Sequence, residues 1–147
     1  MKIIVTNNYE EASLEAFKVM KEIVANKPNA VLGLATGSTP LGLYKNMIED
    51  HKTNGTSYKD ITTFNLDEYV GLDGNHDQSY RYFMNTHLFN HVDIDKNKTF
   101  VPLGIGDIKE NAIKYDLMKE MLNKATFMSN IVFMILNNSA FIIFHNI

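Results

Sequence analysis

The chain has 147 residues, 45% of them hydrophobic and 11% aromatic, which is enough for one ordinary globular core. A formal net charge of −3, with lysines scattered along the chain, excludes the concentrated basic patch that a nucleic-acid backbone requires. The absence of cysteine excludes disulfides, thiolate metal sites and a cysteine nucleophile and points to a cytoplasmic setting, while no apolar run is long enough to span a membrane.

The first strand is expected at residues 3–6, I-I-V-T, too short an apolar run for a signal peptide. Asn7 and Asn8 precede Tyr9, Glu10 and Glu11, the pattern of a helix cap followed by acids in the first turn. Ala16, Phe17, Met20, Ile23 and Val24 then recur at helical spacing until Asn26-Lys27-Pro28 stops the helix. Residues 30–35 are apolar on both faces, as a strand inside a parallel sheet should be.

That strand runs into the stretch Thr36-Gly37-Ser38-Thr39-Pro40. Small residues let the backbone turn sharply and present its N–H groups. Thr39 suits the N-cap and Pro40 the first position of the next helix, which carries Leu43, Tyr44, Met47 and Ile48. The free N–H groups at such a helix start make an anion site, although the stretch is neither a P-loop nor the dinucleotide glycine fingerprint. A plain strand-to-helix turn is the alternative.

Residues 61–66 read as a third strand that delivers Asp67, Glu68 and Tyr69 to the carboxyl edge of the sheet, the edge where ligands collect in open α/β folds. One of the two carboxylates can serve there as a general base on a carbon next to a carbonyl, and a turn or capping role stays open for each. Residues 70–76 are loop and 79–91 an aromatic-rich helix. A short strand follows within 97–103, and Asp107 caps a helix carrying Ala112, Tyr115, Met118 and Leu122. Residues 130–136 and 141–144 are β-rich runs, the second read as a buried terminal strand. His76 and Asp77 read as solvated, His51, His87 and His91 lack metal-ligand spacing, and Arg81 is the one arginine.

The segments L-G-L-A-T-G-S-T-P (32–40), T-F-N-L-D-E-Y-V-G-L (63–72) and Q-S-Y-R-Y-F-M (78–84), followed by L-F-N-H-V-D-I (88–94), resemble the glucosamine-6-phosphate deaminase family, also called glucosamine-6-phosphate isomerase. The resemblance is clear over residues 1–115 and degraded over 125–147. It implies an α/β, Rossmann-like, mostly parallel sheet with flanking helices, forming a single domain over 1–147 that is truncated at the C-terminus.

The implied reaction needs no metal or cofactor and turns glucosamine 6-phosphate and water into fructose 6-phosphate and ammonia. On the matching positions, the backbone of Gly37, Ser38 and Thr39 would hold the sugar phosphate and Asp67 would shuttle the proton between C2 and C1, with Glu68 in support. The family's ring-opening segment, G-x-N/D-G-H-I-G-F-N-E-P, aligns with residues 137–147, the alternative being that the chain leaves the family's frame near Lys124; both accounts remove the ring-opening apparatus. In the alignment Ser139, Phe141 and Asn146 stand in place of an acid, a histidine and a second acid, so weak or absent turnover is expected.

The implied partner is a small sugar phosphate, with neither nucleic acid nor membrane. The resemblance implies homo-oligomers for the family and leaves this chain's own state open. Two rival expectations are a non-catalytic fragment that associates with a full-length paralogue and a 6-phosphogluconolactonase-like sugar-phosphate hydrolase. A truncated sheet would also leave residues 131–136 and 141–144 as apolar edge strands.

Overall fold

The computed structural model describes residues 2–125, 134–137 and 140–143. Helix α1 (Tyr9–Asn26) follows strand β1 (Lys2–Ile4), and its start is fixed locally. The Asn8 side chain accepts the Glu11 N–H at 2.8 Å, while the Glu11 carboxylate accepts the Asn7 N–H at 3.0 Å. Two otherwise unsatisfied donors are paired in this reciprocal cap. At the other end the N–H of Lys27 closes on Ile23, and Pro28 cannot extend the helix.

Strands β2 (Val31–Leu34), β3 (Thr62–Asn65) and β4 (Thr99–Phe100) form a parallel sheet in the order β2-β3-β4. Leu32 lies beside Thr63 and Leu34 beside Asn65, so these four side chains share one face of the sheet. Helices α1 and α2 (Leu41–Asn54), with α3 (Tyr80–Met84), contribute to the main core, which includes Leu32, Leu34, Met20, Tyr44, Met47, Met84, Leu88 and Phe89. Phe64 and Phe100 lie on the opposite face, stacked at 4.9 Å between ring centroids. Tyr115 of α4 (Ile108–Ala125) meets Phe64 edge-on at 5.8 Å, so helices cover both faces. The Asp107 carboxylate accepts the Glu110 N–H at 3.0 Å and starts α4 as the sequence suggests.

Three local features differ from the sequence reading. Helix α2 begins at Leu41, with Pro40 rather than Thr39 at the N-cap and no side-chain cap. Proline can hold the cap position because it has no N–H to satisfy there. The helix of residues 79–91 is also not uniform. It is α only to Met84 and widens into a π turn over Asn85–Phe89, where the Asn90 N–H reaches the Asn85 carbonyl at 3.1 Å. His91 therefore falls beyond the helix, with its ring on the Thr86 carbonyl.

The third difference concerns the terminal runs. Strands β5 (Met134–Asn137) and β6 (Ala140–Ile143) pair antiparallel with each other, and β6 pairs antiparallel with β1. They form a separate sheet in the order β1-β6-β5. Run 141–144, expected at an edge, thus lies between two partners over residues 140–143. Two residues separate β5 from β6, a spacing that only an antiparallel return can bridge. The burial expected for that strand, and residues 130–133, lie outside what is described.

Candidate functional site

The turn between β2 and α2 is held in place by side chains from other elements. Asn65, buried at the end of β3, donates its side-chain N–H to the Leu34 carbonyl at 2.8 Å. Tyr44 donates its hydroxyl to the Ala35 carbonyl at 2.5 Å, and burial pushes the Tyr44 phenol well above its ordinary range, so it stays a neutral donor. Gly37 takes φ +92°, a backbone angle that L side chains rarely adopt. The N–H groups of Gly37, Ser38 and Thr39 donate to no acceptor among the described residues. These unpaired donors, on exposed Gly37 and Ser38 and half-buried Thr39, can receive an anion.

Asp67 lies two residues beyond the end of β3, exposed, and its carboxylate has no hydrogen-bond partner among the described residues. Glu68 behaves differently. Its carboxylate accepts the N–H groups of Tyr80 at 2.8 Å and Arg81 at 3.0 Å, the first two residues of α3, as well as its own neighbour Tyr69 at 2.9 Å. Charge-assisted bonds to a helix start make Glu68 a capping group. Ser79 completes the cap by accepting the Tyr82 N–H at 3.0 Å.

Tyr80 stands near the acid, and the Asp67 charge acts on its phenol. The Tyr69 contact, desolvation and nearby negative charge raise the Tyr80 phenol, against an opposing contribution from Thr36. The two tyrosine rings pack with centroids 4.8 Å apart. Neither tyrosine stood out in the sequence, although each lies inside one of the segments that carry the family resemblance.

The loop that carries Asp67 rests on the turn after β4. The Gly71 N–H donates to the Gly104 carbonyl at 2.6 Å, and a Cβ on Gly104 would run into the carbonyl oxygens of Tyr69 and Leu72. Arg81 is committed elsewhere, its guanidinium donating to the Thr99 hydroxyl at 2.8 Å and the Thr99 carbonyl at 2.7 Å. Among the described residues no group of three His, Cys, Asp or Glu could hold a metal ion, and no helix is long and apolar enough to cross a membrane. His76 and Asp77 lie 3.4 Å apart on the surface.

No protein-family model matches the chain. It is 55% identical over 117 residues to a glucosamine-6-phosphate deaminase of Clostridium perfringens, a match covering 79% of this chain and 48% of that protein. The Clostridium beijerinckii deaminase is 56% identical over 117 residues, covering the same shares. By sequence, most of this chain matches about half of a glucosamine-6-phosphate deaminase.

A monomeric glucosamine-6-phosphate deaminase of known structure superimposes with a TM-score of 0.78 at 39% identity, over 80% of this chain and 49% of that one. The 6-phosphogluconolactonase of Thermotoga maritima shares the fold at a TM-score of 0.64 and 18% identity, over 81% of this chain and 52% of that one. The chain spans about half the length of the deaminases it matches. Any 117-residue stretch of a 147-residue chain contains residues 31–117, so the deaminase match necessarily includes the Gly37–Ser38–Thr39 turn, Asp67, Glu68 and Tyr80.

Proposed function

We propose that this chain carries the sugar-phosphate cradle and the proton-transfer carboxylate of a glucosamine-6-phosphate deaminase, whose reaction yields fructose 6-phosphate and ammonia. The observation that carries this reading is the set of three unpaired N–H groups on Gly37, Ser38 and Thr39, which follow β2 at the same carboxyl end of the parallel sheet where Asp67 follows β3. The phosphate sits on the turn, and the open-chain sugar extends toward Asp67. Asp67 takes the proton from C2 and returns it to C1, which leaves an iminium at C2. Water adds to that iminium and releases ammonia. An unpartnered, exposed carboxylate is free to act as such a base.

Phe141 cannot relay a proton to a ring oxygen, and Ser139 and Asn146 are not acids, so this chain binds the sugar phosphate without opening the ring at an enzymatic rate. Zero cysteines fit a reducing, cytoplasmic setting. The partner is a small sugar phosphate.

Calorimetric titration with glucosamine 6-phosphate tests the cradle, and a coupled assay for fructose 6-phosphate tests turnover. Saturable binding without product is the expected pair of results. Asp67→Asn retains that binding and abolishes deuterium exchange from solvent into C1 of fructose 6-phosphate. Absence of sugar-phosphate binding to the unaltered chain overturns the reading.

A further inference from the structure

Tyr9 opens α1, yet its hydroxyl reaches across to the start of α2. It accepts the Gly42 N–H at 2.7 Å and lies 3.1 Å from both the Ser38 and Thr39 carbonyls, to one of which it donates its proton. The approach depends on Gly42. A Cβ there would collide with the Ser13 hydroxyl on α1, so only a residue without a side chain lets the start of α2 lie this close to α1.

Each partner of the Tyr9 hydroxyl has a consequence for the turn. Taking the Gly42 N–H removes one of the first donors of α2 from use by a ligand. The Ser38 carbonyl and the Thr39 N–H belong to one peptide unit. No peptide bond in the described chain is cis, and in a trans unit the C=O and N–H point in opposite directions. A Ser38 carbonyl turned toward Tyr9 therefore turns the Thr39 N–H away from it, and that N–H is unpaired among the described residues.

We propose that Tyr9 is a positioning residue for the anion-binding turn: its hydroxyl fixes the Ser38–Thr39 peptide so that the Thr39 N–H faces the ligand's phosphate. This inference rests on the sugar-phosphate reading of the turn. It adds a control point on α1, outside the three sequence segments that carry the family resemblance. The ligand it serves is a phosphate monoester, and inorganic phosphate is the minimal probe.

The test compares the full chain with Tyr9→Phe and Tyr9→Ala. Phenylalanine keeps the ring packed beside Gly42 and removes only the hydroxyl, at a position 43% exposed in the native chain. Losing one oriented donor weakens binding of glucosamine 6-phosphate and of inorganic phosphate about fivefold. In the absence of ligand, Gly42 amide hydrogen exchange speeds up in Tyr9→Phe relative to amides in α4, with the thermal midpoint of unfolding nearly unchanged.

Tyr9→Ala weakens binding to a similar degree if the hydroxyl is what matters. Unchanged affinity and unchanged Gly42 exchange in Tyr9→Phe overturn the proposal, as does a loss confined to Tyr9→Ala. Failure of the native chain to bind either ligand removes the sugar-phosphate reading and the Tyr9 proposal with it. The exchange measurement then still reports whether the tether exists.

Discussion

The carboxylate of Glu68 accepts the backbone N–H of Tyr80 at 2.8 Å across twelve residues of chain. That bond turns Glu68 back onto α3, while its neighbour Asp67 is left exposed at the sheet edge. Two adjacent acids thus take up different work. Glu68→Ala leaves the Tyr80 and Arg81 N–H groups without their acceptor and is expected to cost about 1–2 kcal/mol. Urea unfolding measures the cost, and a change below about 0.3 kcal/mol would show that water replaces the cap in full.

Arg81 provides a second test of assignment. An arginine near a phosphate site invites a ligand role, but both of its hydrogen-bonded nitrogens are spent on Thr99. Arg81→Ala is expected to lower stability by about 1–2 kcal/mol and to leave sugar-phosphate affinity within about twofold. Arg81→Lys recovers little of the stability, because an ammonium cannot reproduce the fork. A tenfold loss of affinity in a folded Arg81→Ala chain would reassign the guanidinium to the ligand.

Asp50 governs a pH dependence. It is 5% exposed and accepts from Lys21 at 2.6 Å, Asn54 at 2.7 Å and Thr56 at 2.5 Å. Burial works against its charge, but the bonds from Lys21, Thr56 and Asn54 outweigh that and hold the carboxyl below its ordinary value. The unfolded chain therefore binds the proton more readily than the folded one. The stabilisation is fully present above the unfolded carboxyl pKa of about 4 and is lost as pH falls through the lower folded value. Asp50→Asn should cost about 2 kcal/mol at neutral pH, with a gap to the native chain that closes as the solution is acidified below about pH 4. Unfolding curves collected from about pH 7 down to about pH 2.5 span that transition, and a gap independent of pH would remove Asp50 as the source.

Gly104 is the position where a single methyl group should disturb the site from outside it. In Gly104→Ala the added carbon meets the backbone oxygens of Tyr69 and Leu72, which cannot rotate aside as a side chain would. The expected cost is about 1–3 kcal/mol. The displacement should fall on the loop carrying Asp67, so amide shifts are expected to concentrate at residues 67–72. Shifts distributed evenly over the chain would show that the two turns are not coupled.

The features legible in the sequence are those set by neighbours within a few residues. The Asn8 and Asp107 caps, the stop at Pro28, the glycine turn after β2 and the delivery of Asp67 to the carboxyl edge follow from local spacing. A cap needs only an oxygen at the right offset, and a strand end needs only the end of an apolar run. Residues 32–40, 63–72 and 78–84 also carry enough of the family's pattern for the deaminase resemblance to be legible in the chain alone.

Packing decided the remainder. The Tyr9 hydroxyl meets Gly42 across 33 residues, and Asn65 reaches Leu34 across 31. Such bonds depend on where two helices or two strands lie after the core has formed, and no local pattern encodes that distance. The choice of Glu68 as cap and Asp67 as free acid, the commitment of Arg81 to Thr99, and the antiparallel return of β6 between β1 and β5 belong to the same class. The sequence by itself determined that a small-residue turn and an acid share one sheet edge. Only the tertiary structure decided which N–H groups the turn leaves unpaired, because long-range partners had first to take the others.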